Sequence, residues 1–212
     1  MLKTGHLVPV TVIKALPDYD SYLMAIPGTE HIALLDRAHA GLHLRVGDHT
    51  VALVYYIKNG RIILTQKTDN FFRRLTEMLV SPLLMEDKVK VVKAAAIDGA
   101  SFAKVAVASD NGYDPIAECL PYIKPESVKR FTNRTITLVR YSTDIEEYVS
   151  SAFAPALIDD VLEVTYIQEK DEEEEIHVRV EADRLARFIG KGGANIATVS
   201  KLVGIRVRVF SA

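Results

Sequence analysis

From residue 5 to residue 67 the chain alternates apolar and polar positions in short runs. The runs are "HLVPVTVIKA", "SYLMAI", "HIALLD", "TVALVYYI" and "RIILTQK", separated by "PDYD", "PGTE", "GLHLRVGD" and "KNG". Alternation with a period of two, bounded by glycine, proline and aspartate, predicts half-buried strands. Five such strands at these spacings predict a small closed all-β barrel of the OB type over residues 1–67. The strongest hairpin signal is "KNGR", an Asn-Gly pair between two apolar runs.

At Thr68 the period changes. In "TDNFFRRLTEMLVSPLLME", Phe72, Leu75, Met78 and Leu79 fall at helical spacing and Pro82 acts as a stop, which predicts a linker helix over 68–87. One order of elements then occurs twice. The first copy, residues 88–156, has strands "VKVVKAAAI" and "FAKVAVAS", helix starts at "DPIAECL" and "PESVKRF", and strand "TITLVRY". It ends in a helix "DIEEYVSSAFA" for which Asp144 is the expected N-cap. The second copy, residues 157–212, has strands "VLEVTYIQ" and "EIHVRVEA", helix "DRLARFI", a glycine loop, helix "ANIATVSKLV" and strand "IRVRVF". Strand, strand, helix, loop, helix, strand is a duplication in order with little identity in sequence, and it predicts two α+β domains behind the barrel.

Composition narrows the function. The 212 residues carry a net charge of −2, and the apolar runs fall short of the roughly 18 residues of a membrane span. The start "MLKTGHLVPV" has no signal-peptide core, so a cytoplasmic protein is expected. Cys119 is the only cysteine, which excludes a disulfide framework, and its apolar surroundings predict a buried, inert thiol. His39 and His43 stand four apart beside Gly41 in a barrel loop, which argues against a shared metal. No nucleophile motif, metalloprotease helix or carboxylate pair outside one acidic run argues for catalysis, so no enzyme activity, cofactor or metal is expected. That run, Glu169 to Glu175, holds six acidic residues and one lysine and reads as a solvated turn between two strands. From Ile176 to Ala212 seven basic residues face two acidic ones, a balance of +5 that suggests a localised anionic partner.

The glycine loop is the site candidate. Gly190, Gly192 and Gly193 lie directly before an apolar-periodic helix, where bare backbone N–H groups and the helix dipole favour an anion. Lys191 adds a full charge at the tip. A Walker loop needs Ser or Thr where Gly192 follows the lysine, and a dinucleotide fingerprint needs glycine where Asn195 stands. In "IRVRVF", Ile205, Val207 and Val209 alternate with Arg206 and Arg208, so one strand face is cationic.

Set between two short helices and closed by a strand, "IGKGGANI" resembles the Gly-x-x-Gly signature of KH domains, which clamp about four nucleotides of single strand. Strands placed first resemble the prokaryotic KH type. The likeness extends through "IILTQKTDNFFRRLTE", "KVAVASDNGYDPIAEC", "ITLVRYSTDIEEYVSSAFAPA" and "FIGKGGANIATVSKLVG", so that an OB barrel of the ribosomal-protein S-one type with two KH domains is similar to the RNA-binding core of the NusA family. The resemblance implies a partner, single-stranded RNA, and a role in transcription termination or antitermination. Gly190, Lys191, Gly192 and Gly193 would hold the backbone, Ile189 and Ile196 shape an apolar groove while anchoring the helices, Asn195 bond a nucleotide, and Arg206 and Arg208 line the strand side. Two departures qualify it. The family's usual chain begins with a helical domain that docks on RNA polymerase, whereas this sequence starts almost directly at the barrel, which leaves polymerase open as a partner. In the first KH-like domain the loop reads "LPYIKPESVKR" without glycine, and prolines at 121 and 125 remove N–H donors, so this domain is expected to be structural, with Lys124, Lys129 and Arg130 giving a weak contact. On the barrel, Tyr19, Tyr22, His31, Tyr55 and Tyr56 are stacking candidates, one or two of them exposed. Two rivals keep the same folds: a polymerase-independent RNA chaperone or rRNA-processing protein, and a protein-interaction scaffold.

Overall fold

The computed structural model describes residues 2–168 and 174–212. Most of the acidic run, 169–173, therefore lies outside the described residues. Strands β1 (Leu7–Leu16), β2 (Ser21–Ala25), β3 (Ile32–Asp36), β4 (His49–Lys58) and β5 (Arg61–Thr65) close into a barrel in the order β1-β2-β3-β5-β4. Their inward positions, among them Val10, Val12, Met24, Leu35, Val54 and Leu64, form a core of their own. The β4–β5 turn is made by Asn59 and Gly60, both at positive φ as the Asn-Gly pair predicts.

The predicted linker is a helix pair, α1 (Asp69–Leu79) and α2 (Ser81–Met85), with Pro82 in the first turn of α2. Thr68 caps α1 by accepting a hydrogen bond from the Phe71 N–H, which stabilises the start by about 1 kcal/mol. Phe71, Phe72 and Leu75 are fully buried in one cluster with Val51 and Leu53 of the barrel and Val105 and Leu138 beyond it. A helix burying three such side chains, each worth about 1.5–3 kcal/mol, is core rather than connector.

Two sheets of the same design follow. β6 (Lys90–Ala96) pairs antiparallel with β7 (Phe102–Ala108), and β7 parallel with β8 (Thr135–Arg140). β9 (Val161–Ile167) pairs antiparallel with β10 (Glu175–Val180), and β10 parallel with β11 (Arg206–Ser211). The helices between the second and third strands are α3 (Pro115–Cys119) and α4 (Pro125–Val128) in the first unit, and α6 (Leu185–Ile189) and α7 (Ala194–Val203) in the second. Helix α5 (Ile145–Ala152) joins the units, and Asp144 caps it by accepting from the N–H groups of Glu146 and Glu147. The duplicated order read in the sequence is thus matched by a duplicated topology.

The first sheet is covered on both faces. Ala94, Ala96, Ala103, Val105 and Val107 meet α1, whereas Ala95, Ala106 and Val139 share a cluster with Val149, Val199 and Leu202 of α5 and α7. Small side chains on that second face let α7 pack against β6 and β7 while its other side packs on β11. Lys201 ties the helix further, donating to Asp69 Oδ1 at 2.9 Å and to the Ala96 carbonyl at 2.7 Å. Lys104, also on this face, is fully buried and donates to the Ala154 carbonyl, and burial lowers its pKa to about 7. Among the described residues no helix is long and apolar enough to cross a membrane.

Candidate nucleic-acid interface

Helix α6 ends at Gly190, whose φ of 75° and ψ of 168° belong to a region essentially reserved for glycine. A Cβ there would lie 2.7 Å from Asn195 Cβ and 2.9 Å from Asn195 N, so the two helices can meet only over a bare α-carbon. Gly192 and Gly193 have φ of 60° and 76°, and nothing lies within 4 Å of where their Cβ atoms would stand. Gly190 therefore closes the bend. Gly192 and Gly193 keep left-handed backbone open to solvent, and no side chain caps α7 behind them. An exposed backbone beside an uncapped helix start is chemically an anion cradle.

The neighbours divide differently from the sequence expectation. Ile189 and Ile196 flank the loop half-buried and stand outside the core cluster, in which Phe188, Val199 and Leu202 anchor the helices instead. The buried positions are the immediate neighbours of the two isoleucines, Phe188 before Ile189 and Asn195 before Ile196. Asn195 is buried, and its Nδ2 donates to the carbonyls of Arg187 (3.2 Å) and Phe153 (3.4 Å). Its amide N–H groups hold α6 and α5 to α7, so the nucleotide bond expected of Asn195 finds its donors engaged.

The cations are largely paired. Arg206 Nη1 and Arg208 Nη2 lie 3.5 and 2.8 Å from Glu175 Oε1, and His177 Nε2 is 3.1 Å from Glu175 Oε2. The hydrogen bond from His177, then the charges of Arg208 and Arg206, hold the Glu175 carboxyl below its usual pKa. Arg179 pairs with Glu163, Arg184 with Asp160 and Asp183, and Lys201 with Asp69. Among the described residues, Arg187 and Lys191 are the two cations of this segment without a carboxylate partner, and both are exposed at the loop. The +5 balance thus reduces locally to two open charges. Arg187 was visible in "DRLARFIGKGG" but had no signal separating it from its neighbours. Phe210 was also missed: it is exposed, packs on His177 with ring centroids 4.9 Å apart, and falls on the arginine face of β11 by simple alternation.

Elsewhere the first unit replaces the loop by Leu120–Lys124, where Pro125 starts the short helix α4. Lys124, Lys129 and Arg130 are exposed there and carry no ion pair among the described residues. On the barrel Tyr22 is buried while Tyr19, Tyr55 and Tyr56 are exposed, more than the one or two expected. The register of β4 against β5 shifts between Val54 and Tyr56, so Tyr55 is an extra residue that turns the strand end outward, and the two rings meet edge to face at 5.7 Å. His31 is exposed too. His39 ends a 3₁₀ turn (Arg37–His39), so it shares no helix with His43, and among the described residues no three His, Cys, Asp or Glu side chains gather as a metal site requires. Cys119 is buried and its thiol is pushed up to about 11 by desolvation, then by the charge of Glu118.

Residues 145–212 match the family model described as the NusA-like second KH domain. The chain as a whole is similar to the transcription termination/antitermination protein NusA of Rickettsia prowazekii, at 27% identity over 92% of this chain and 39% of that protein. NusA of Borreliella burgdorferi matches 74% of this chain and 33% of its own length at 28% identity. The chain thus spans about two fifths of the length of the curated relatives it matches. Among solved structures, that of APE1850 aligns with 64% of this chain at 20% identity and a TM-score of 0.44.

Proposed function

We propose, from the similarity to NusA that runs through the barrel and both α/β units, that this chain binds single-stranded RNA as a transcription factor acting in termination or antitermination. In this reading the barrel over residues 1–67 is an OB fold and each α/β unit a KH domain of the prokaryotic type, the first over 88–156 and the second over 157–212. The observation that carries the proposal is the open left-handed backbone at Gly192 and Gly193 with Lys191 beside it, ahead of the uncapped ten-residue helix α7. Gly190 to Gly193 receive one stretch of sugar-phosphate, Lys191 and the neighbouring Arg187 pair with phosphates, and the half-exposed Ile189 and Ile196 offer apolar surface to a base. Arg206 and Arg208 line the strand side, already shared with Glu175, and Asn195 acts by holding the helices. The proline-bearing loop of the first unit contributes charge through Lys124, Lys129 and Arg130.

About three phosphate contacts on a single strand predict that log K falls with log salt at a slope of roughly −2. The test is anisotropy of a labelled random single-stranded RNA titrated with wild type and with Lys191→Asp/Gly192→Asp at two salt concentrations, with circular dichroism to check folding. Loss of binding by the folded double variant supports the loop as the clamp. Equal binding by the two proteins moves the site to the barrel. Co-purification with RNA polymerase is the second arm: stable stoichiometric capture is expected of a transcription factor, and RNA binding without it favours chaperoning or rRNA processing.

A further inference from the structure

The sheet that carries the glycine loop has a second edge. β11 is one edge strand and β9 the other, and among the described residues β9 pairs only with β10. Between β9 and helix α5 runs a groove of about 710 Å³, with Ile158, Val161, Leu162 and Val164 on one side and Ser150 and Ser151 of α5 on the other. Ile158 and Leu162 of its lining are 58 and 52% exposed, and Leu157, next to Ile158 in the chain, is 62% exposed. Singly exposed leucines need no explanation, but three together beside a groove mark a contact site.

The rim is acidic. Glu146 and Glu147 stand on α5, Glu163 of β9 is paired with Arg179, and Arg140, the groove's one cation, is engaged by Asp114 at 2.9 Å. Glu147 is occupied only by the Ser142 hydroxyl, and Glu146 has no basic partner among the described residues. Such a rim repels nucleic acid and favours a cationic protein segment. It also disfavours a second copy of this chain, because a two-fold contact would set the two α5 carboxylates against their own images. Strand addition is disfavoured as well. The register of β10 against β9 shifts between Arg179 and Val180, leaving Leu162 as a bulge, and Glu163 follows it; both are features that keep edges from pairing. A helix that inserts apolar side chains at i, i+3 and i+4 remains.

We infer that the α5–β9 groove is a docking site for an amphipathic, basic helix of a partner protein, whose apolar face covers Leu157, Ile158 and Leu162 and whose lysine or arginine residues meet Glu146 and Glu147.

The chain has no tryptophan, so a probe helix carrying one reports alone. The probe is a synthetic 14-residue amphipathic Leu/Lys peptide with a single Trp on its apolar face, and its Leu/Glu counterpart serves as control. Titration into wild type should give a saturable blue shift of Trp emission that the Leu/Glu peptide lacks. Leu162→Lys and, separately, Glu146→Lys, both at exposed positions, should each weaken it about tenfold or more, a loss of about 1.4 kcal/mol. The inference is overturned if wild type gives no saturable shift, if the Leu/Glu peptide binds as well, or if neither folded variant weakens binding. It is also overturned if sedimentation shows a dimer of the chain that Leu162→Lys abolishes, which would assign the groove to a second copy.

Discussion

Replacing each loop glycine by alanine, one at a time, separates the residue that closes the bend from those that leave it open. At Gly190 the new Cβ meets Asn195 Cβ at 2.7 Å and Asn195 N at 2.9 Å, atoms of the first turn of α7 that cannot swing aside. The backbone conformation itself costs on the order of 1–3 kcal/mol for a non-glycine residue. Moving Asn195 also strains its bonds to the Arg187 and Phe153 carbonyls, of which one lost bond costs about 1 kcal/mol. Gly190→Ala should therefore destabilise by about 2–4 kcal/mol. Gly192→Ala meets nothing within 4 Å and bears only the left-handed cost, about 1 kcal/mol. The assay is urea unfolding followed by far-ultraviolet circular dichroism. With a slope of about 2–3 kcal/mol per molar urea, the Gly190→Ala midpoint should fall by about 1 M and the Gly192→Ala midpoint by less than half of that. Equal shifts would refute the assignment of Gly190 as the contact on which the bend depends. In RNA titrations under native conditions the order should invert per unit of stability lost, because a methyl at Gly192 would stand where the proposed clamp receives the phosphate backbone.

Lys104 makes the fold pH-sensitive. In the unfolded chain its ammonium keeps its proton to about pH 10.4, whereas burial sets the folded value near 7, so above pH 7 the unfolded chain binds more protons and stability rises with pH, by at most about 1.4 kcal/mol per unit. The window closes near pH 8.5, where the unfolded Cys119 thiol begins to ionise and the buried one does not, which cancels the Lys104 contribution and flattens the slope. Urea midpoints measured between these limits should climb in wild type and stay flat in Lys104→Met; an equal climb in both would place the titration elsewhere. Glu175→Gln removes the charge that holds Arg206 and Arg208, so RNA should bind more tightly and the salt slope should steepen by about one. Weaker binding in that anisotropy titration would show that the arginines need Glu175 to position them.

Order along the chain was legible because each element carries its own local signal. The barrel strands alternate, the Asn-Gly turn has positive φ at both residues, and Asp144 caps its helix as read. What covers a face was not legible. "FAKVAVA" alternates like a half-exposed strand and places Lys104 on the solvent side, yet a second layer of helices buries it. The stripe of α1 was plain, but nothing local shows that barrel and sheet meet across it. The candidate loop divides in the same way. Its glycines and lysine are contiguous and readable, whereas the neutralisation of Arg206 and Arg208 by Glu175 depends on parallel pairing between strands far apart in the chain. Tyr55 turns outward only because of a register shift that no side chain announces.

The sharing of α7 between the two sheets bears on how the loop can work. At its start α7 carries the open glycines, and near its end Lys201 is bonded to Asp69 at the start of α1 and to the Ala96 carbonyl of β6. Helix α1 in turn packs against both the barrel and the first sheet. The loop is therefore mounted on a continuous body, and ordering its anchors takes no free energy from ligand binding, which is the usual tax on flexible sites. A continuous body also fixes the distance between the loop and the exposed tyrosines of the barrel. An RNA that reaches both gains from effective concentration only when its length matches that distance, so affinity should rise in a step with RNA length rather than smoothly. The barrel and loop would then be read as one surface, and a smooth rise would mean that they bind independently.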